Sequence, residues 1–217
     1  MVIEDLGIVG YQDAYRLQED LVADVFRNER KERLLLLEHP PVYTIGRGGD
    51  SGNVLDPAID VVRINRGGDI TFHGPGQLVG YPILRLGRRG KDLRHYLRFL
   101  EEVIICVAGD FGVASYRVPG RTGVWTERGK LASIGVAVRH WVTMHGFALN
   151  VNTDLSFFQR IHPCGIIGCP VTSLSELCGS HVSMHEVKAR FIVHFTERLD
   201  AWLPLDADVL EEVRATA

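Results

Sequence analysis

The sequence predicts an α+β fold, a largely antiparallel or mixed sheet flanked by helices, in one domain spanning residues 1–217. Three observations carry this. Helical and strand periodicities are both present, they do not alternate as strict βαβ units, and strand-like texture is concentrated between Val113 and Asn152. Leu6–Val9 fits a short first strand. Gln12–Phe26 places Ala14, Leu17, Leu21, Val22, Val25 and Phe26 on one helical stripe. Leu34–Leu37 reads as a buried strand stopped by Pro40 and Pro41. Val61–Asn65 and Leu78–Leu86 are further strands, the second in spite of Pro82. Asp92 is placed to cap a helix carrying Leu93, Tyr96, Leu97, Leu100, Val103, Ile104 and Val107. Val124–Thr126, Leu131–Arg139 and Val142–Val151 are rich in β-branched and aromatic residues, with hairpin turns at Glu127–Lys130 and Arg139–Trp141. Ser183, with Glu186 three residues on, opens a last helix whose apolar face holds Val187, Phe191, Phe195 and Leu199.

Composition narrows the function. The chain is 46% hydrophobic and 24% charged, as an ordinary globular core requires. A net charge of −3 gives no global attraction to nucleic acid or an anionic membrane. Met1–Gly10 lacks the long apolar run of a signal peptide, and no stretch approaches the roughly 20 apolar residues of a membrane span. Four cysteines are too few to staple a chain of this size, which favours a cytosolic thiol, metal or catalytic role.

Three segments hold residue types suited to chemistry. Arg66–Gln77 contains four glycines and one proline, a tight backbone path that brings amide groups close to a bound carbonyl or phosphate. Arg66 and His73 would fix a polar head group there, or else face water on a turn-rich connection. In Ile161-His162-Pro163-Cys164-Gly165-Ile166 the cysteine lies between proline and glycine, on a loop where a thiol stays accessible. Cys106, inside a helical apolar run, reads as core. The spacing of Cys164, Cys169, Cys178, His181 and His185 is poor for zinc, with no Cys-x-x-Cys among them. Lys130, taken alone, is a hairpin-turn lysine. The small residues after it, Ala132-Ser133-Ile134-Gly135, leave room for a ligand against the backbone. Arg85–Arg98 sets six cations against one acid, which is either a docking face for an acidic partner or a solvated surface.

In this order the segments resemble the octanoyl (lipoyl) transferase family. The similarity runs from Leu37-Glu38-His39-Pro40-Pro41-Val42-Tyr43-Thr44-Ile45-Gly46-Arg47 through Arg66–Pro82, Gly129–Gly135 and His145–Val151 to Pro163–Ile166 and Val171–Leu174. It implies the fold shared by the catalytic domains of biotin and lipoate protein ligases. It also implies transfer of an octanoyl group from octanoyl-acyl carrier protein to lysines of lipoyl domains. The acceptors would be 2-oxoacid dehydrogenase complexes and the glycine cleavage H protein. By position, Cys164 matches the nucleophile and Lys130 the lysine that favours its thiolate. Arg66, Gly67, Gly68, Asp69, Ile70, Thr71, Phe72 and His73 match the acyl-binding segments, as do Ser133, Ile134 and Gly135 and also Gly146, Phe147 and Ala148. Such an enzyme would act as a monomer, without a metal or cofactor. An ATP-dependent lipoate or biotin ligase is the alternative. It shares a lysine at the position of Lys130 but has no use for a thiol nucleophile at Cys164.

Overall fold

The computed structural model describes residues 1–215, with side chains through residue 211; the end of the expected 1–217 domain lies outside the described residues. Strand β1 (Val2–Ile8), helix α1 (Tyr11–Arg27) and strand β2 (Arg33–Glu38) form a unit whose strands pair in parallel. β1 starts at Val2 rather than Leu6, and Gly7, with φ +63°, shifts its register. β3 (Val42–Ile45), β4 (Val61–Arg63) and β5 (Thr71–His73) make a small sheet in the order β4-β3-β5. β6 (Gln77–Ile83), α2 (Leu93–Asp110), β7 (Tyr116–Val118), β8 (Arg121–Thr126), β9 (Gly129–Arg139) and β10 (Val142–Asn150) follow. Last come α3 (Leu174–Cys178), α4 (Met184–Trp202) and α5 (Ala207–Ala215). The main sheet has seven strands in the order β1-β2-β6-β10-β9-β8-β7, and every pair except β1/β2 is antiparallel.

The leucine run of β2 is buried on both faces because the sheet is covered on both. Leu34 and Leu36 join the core beneath α2 and α4, while Leu35 and Leu37 point to α1. All four are fully buried, which stabilises the fold by about 1.5–3 kcal/mol per side chain. Helix starts are capped as the sequence suggests: the Asp92 side chain accepts from His95 N at 2.9 Å, and Ser183 Oγ accepts from Glu186 N at 3.3 Å.

Pro82 is tolerated inside a central strand because the β6/β10 ladder has already ended, at Gly80 opposite Phe147. On the β10 side His145 is left-handed, with φ +57°. Beyond the break Thr143 takes over the bonding: its Oγ1 donates to Pro82 O at 2.7 Å and accepts from Leu84 N at 2.8 Å. Two expectations are corrected. Cys106 is only half buried. Within the basic stretch Arg89 is buried, its guanidinium donating to both Glu32 carboxylate oxygens, Asp200 and Leu203 O, so it ties α4 to the β2 edge.

Candidate active site

Period-two alternation in β5 separates its residues by task. Ile70 and Phe72 enter a core with Tyr43, Ile45, Phe158 and Ile161, whereas Thr71 and His73 face a pocket on the opposite side. The pocket, together with the open solvent at its mouth, takes up about 450 Å³. One wall is Ser133, Ile134 and Gly135 of β9 with Gly146, Phe147 and Ala148 of β10. Tyr11, Arg66, Gly68, Asp69, Thr71, His73, Tyr81, His145 and Cys164 complete the lining. Gly67 stays outside it, its N–H bonded to Val136 O at 2.9 Å. The strand break between β6 and β10 borders the pocket. A Cβ on Gly146 would lie 2.2 Å from Gly80 O, so only glycine lets β10 pass there.

Cys164 sits in a turn that the sequence Pro-Cys-Gly makes possible. Pro163 restricts one side and Gly165, at φ +70°, accepts the left-handed conformation on the other. Cys164 is itself left-handed, at φ 57° and ψ 25°, a conformation that costs a non-glycine residue about 1–2 kcal/mol. Its N–H donates to Ile70 O at 2.9 Å, and His162 N donates to Asn53 O at 2.8 Å. Asn53 Nδ2 in turn donates to Asp69 Oδ2 at 2.7 Å, so the cysteine turn is pinned to the glycine-rich loop.

Lys130, 34 residues earlier, places Nζ 2.9 Å from Cys164 Sγ. It is 3% exposed, and so is not the solvated turn lysine its immediate sequence suggests. It is the second residue of β9, and on the side away from β8 its backbone is bonded to the segment after the cysteine. Lys130 N donates to Pro170 O at 2.8 Å and Thr172 N to Lys130 O at 3.0 Å. Ser133 Oγ lies 4.0 Å from the same sulfur. Lysine nitrogen and cysteine sulfur therefore meet at hydrogen-bond distance in a site largely shielded from water.

Burial governs the imidazoles and the tyrosine around the pocket. Burial, reinforced by His39, Arg66 and His145, pushes His73 down to about 3. Burial and then Arg66 push His145 down to about 3 as well. Burial also lowers His39 and raises Tyr81. His39 Nδ1 must donate to Val9 O (2.7 Å), which leaves Nε2 to accept the Tyr81 hydroxyl at 2.8 Å. Arg66 is buried, with Nη2 donating to Thr44 O at 2.8 Å and Thr44 Oγ1 at 3.0 Å, and Nη1 to Gly67 O at 3.0 Å. The Tyr11 and Thr71 hydroxyls line the pocket, buried and without a protein partner, as groups awaiting a ligand or water do. Tyr11, Tyr81 and His145 are site residues that the sequence reading assigned no role. Tyr81 and His145 lie inside segments that carry the resemblance, but Tyr11 shows only as a polar aromatic at the start of a helix.

Known proteins share both sequence and architecture. The family described as lipoyl protein ligase A/B catalytic domain matches residues 10–196. An octanoyltransferase of Pelobacter propionicus is 63% identical over 204 residues, covering 94% of this chain and 98% of its own. One of Syntrophotalea carbinolica is 64% identical over 205 residues, covering 94% and 97%. Among solved structures, a putative lipoate protein ligase from T. acidophilum superposes with TM-score 0.72 at 18% identity, covering 91% of this chain and 84% of its own. A biotin protein ligase from Aquifex aeolicus gives TM-score 0.54 at 15% identity, covering 93% and 71%. The structures speak to the fold, which is the one the resemblance implied. The near-full-length identities go further and make this chain a member of the lipoyl protein ligase A/B catalytic-domain family, among its octanoyltransferases.

Proposed function

We propose that this octanoyltransferase works through a thioester on Cys164, with Lys130 carrying the proton between the two half-reactions. The observation that carries the reading is the 2.9 Å contact between Lys130 Nζ and Cys164 Sγ at a pocket with an apolar wall. The donor is octanoyl-acyl carrier protein. The acceptors are lipoyl-domain lysines, including those of 2-oxoacid dehydrogenase complexes and the glycine cleavage H protein. The enzyme is a cytoplasmic monomer whose catalytic domain spans residues 1–217. Among the described residues no helix is long and apolar enough to cross a membrane.

In the first half-reaction the Cys164 thiolate attacks the donor carbonyl carbon. A carbon–sulfur bond forms to Cys164, the donor's carbon–sulfur bond breaks, and the Lys130 ammonium protonates the departing thiolate. One thioester replaces another, so the step is nearly thermoneutral. In the second, the acceptor amine attacks the acyl-enzyme. Its proton passes to neutral Lys130, the amide forms and Cys164 leaves as thiolate, restoring the ion pair. Arg66, Thr71 and Ser133 face the acyl group from the walls. His73 and His145, neutral at pH 7, carry no proton in this scheme.

The test is a transfer assay with octanoyl-acyl carrier protein and a lipoyl domain, set beside free octanoate with ATP. The wild type is expected to turn over the carrier-bound donor without ATP and to ignore the free acid. Cys164→Ala abolishes turnover, while Cys169→Ala and Cys106→Ala cost little. ATP-dependent use of free octanoate that survives in Cys164→Ala would replace this reading with a ligase.

A further inference from the structure

We propose that Trp125 is a positioning residue for the Cys164–Lys130 pair, its ring face holding the Lys130 ammonium in its charged form. The proposal rests on the catalytic reading of that pair. Trp125 of β8 is the register partner of Lys130 of β9, and directly opposed residues on one sheet face are held with Cβ atoms about 5 Å apart. Lys130 Nζ lies 5.3 Å from the centre of the Trp125 ring. Both side chains are nearly buried, at 5% and 3% exposure, where a cation over an indole is worth more than at the surface. The Arg121 guanidinium carbon also lies over this ring, 5.7 Å from its centre, and Arg66 and Cys169 are the other titratable groups whose charges reach the pair.

The backbone beneath is shaped for the same contact. Gly123 has φ +123°, and a Cβ there would come within 2.8 Å of Lys130 Cε and 3.4 Å of Nζ. The lysine arm therefore runs across Gly123, with the indole beside it and Cys164 Sγ at its tip. Gly123 N is fixed by Glu101 Oε1 at 3.0 Å, and Glu101 is fully buried. Favouring the ammonium favours the thiolate before acyl transfer. Afterwards it favours recapture of a proton by Lys130 from the attacking amine.

The pH dependence of Cys164 alkylation by iodoacetamide, followed by peptide mass spectrometry, tests this. Trp125→Leu is expected to slow alkylation at pH 7 by roughly threefold or more and to move the profile to higher pH. Trp125→Phe retains most of the wild-type profile. In a Lys130→Ala background Trp125→Leu changes nothing further. Fluorinated tryptophan placed at position 125 keeps the packing but weakens the ring face, and is expected to slow alkylation stepwise with added fluorine. A Trp125→Leu profile overlaying the wild type, an equal effect with and without Lys130, or no response to fluorination would overturn the proposal. An unchanged profile in Lys130→Ala itself would overturn the catalytic pair, and this proposal with it.

Discussion

A free thiol is only a few per cent ionised at neutral pH, so a thiol nucleophile needs a neighbour that stabilises its anion. In the proposed scheme Lys130, 2.9 Å from Cys164, is that neighbour. Half of the pair was legible from the sequence alone, because Pro163 and Gly165 mark Cys164 as a loop residue. Lys130 was not, since its meaning depends on contacts 34 residues away, and only the family resemblance pointed to it. The two roles given to Lys130 separate in Lys130→Arg, which keeps the charge but cannot become neutral. Single-turnover rates are expected to show acyl-enzyme formation as the less impaired step, because the departing thiolate can take its proton from water instead. Transfer to the lipoyl-domain amine should fall by on the order of 10²–10⁴-fold, as for loss of a general base. Little loss in either step would reduce the lysine to a fixed charge.

At the level of elements, the pocket exists because a central ladder is interrupted. Pro82 in β6 and left-handed His145 in β10 end the pairing at Gly80/Phe147, and the gap admits the Tyr81 and His145 side chains. The strands themselves were readable from alternation and β-branched content. The interruption was not, since nothing local marks a histidine as left-handed in mid-strand. Short β3, β5 and β7 were also missed, being too brief to show a period. The buried imidazoles that result give a prediction in pH. His73 and His145 sit near 3 in the fold, below the ordinary value of about 6.5. Between these values the unfolded chain binds protons that the folded chain does not, so stability falls as pH drops below about 6.5, by about 1.4 kcal/mol per pH unit for each group. Thermal unfolding should show Tm level just above pH 7 and declining from 6.5 towards 4. His145→Gln should flatten that decline if it folds. A Tm independent of pH across this window would show that the histidines are not buried neutral.

Across the whole molecule, the two sheets are coupled by buried hydrogen bonds running between the two sides of the site. Arg66 bonds Thr44, whose Oγ1 lies 3.4 Å from His73 Nε2; His73 Nδ1 donates to Gln77 Oε1 at 2.9 Å. Gln77 Nε2 donates to Asn150 Oδ1 at 2.9 Å, and Asn150 Nδ2 to Thr172 O at 3.0 Å, one residue from the segment paired with Lys130. No sequence pattern encodes this path, because it joins five separate stretches of chain. The α+β class was legible because periodicities survive in isolation. In the basic stretch, charge alone does not reveal that Arg89 faces inward onto Glu32 and Asp200. The central claim is that the acyl group rests on one sulfur. Incubating wild type with octanoyl-acyl carrier protein and no acceptor, followed by acid quench and peptide mapping, tests it most directly. The expected product is a single hydroxylamine-labile octanoyl group on Cys164; an octanoyl thioester on Cys169, or no adduct from an enzyme that still turns over with acceptor present, would contradict it.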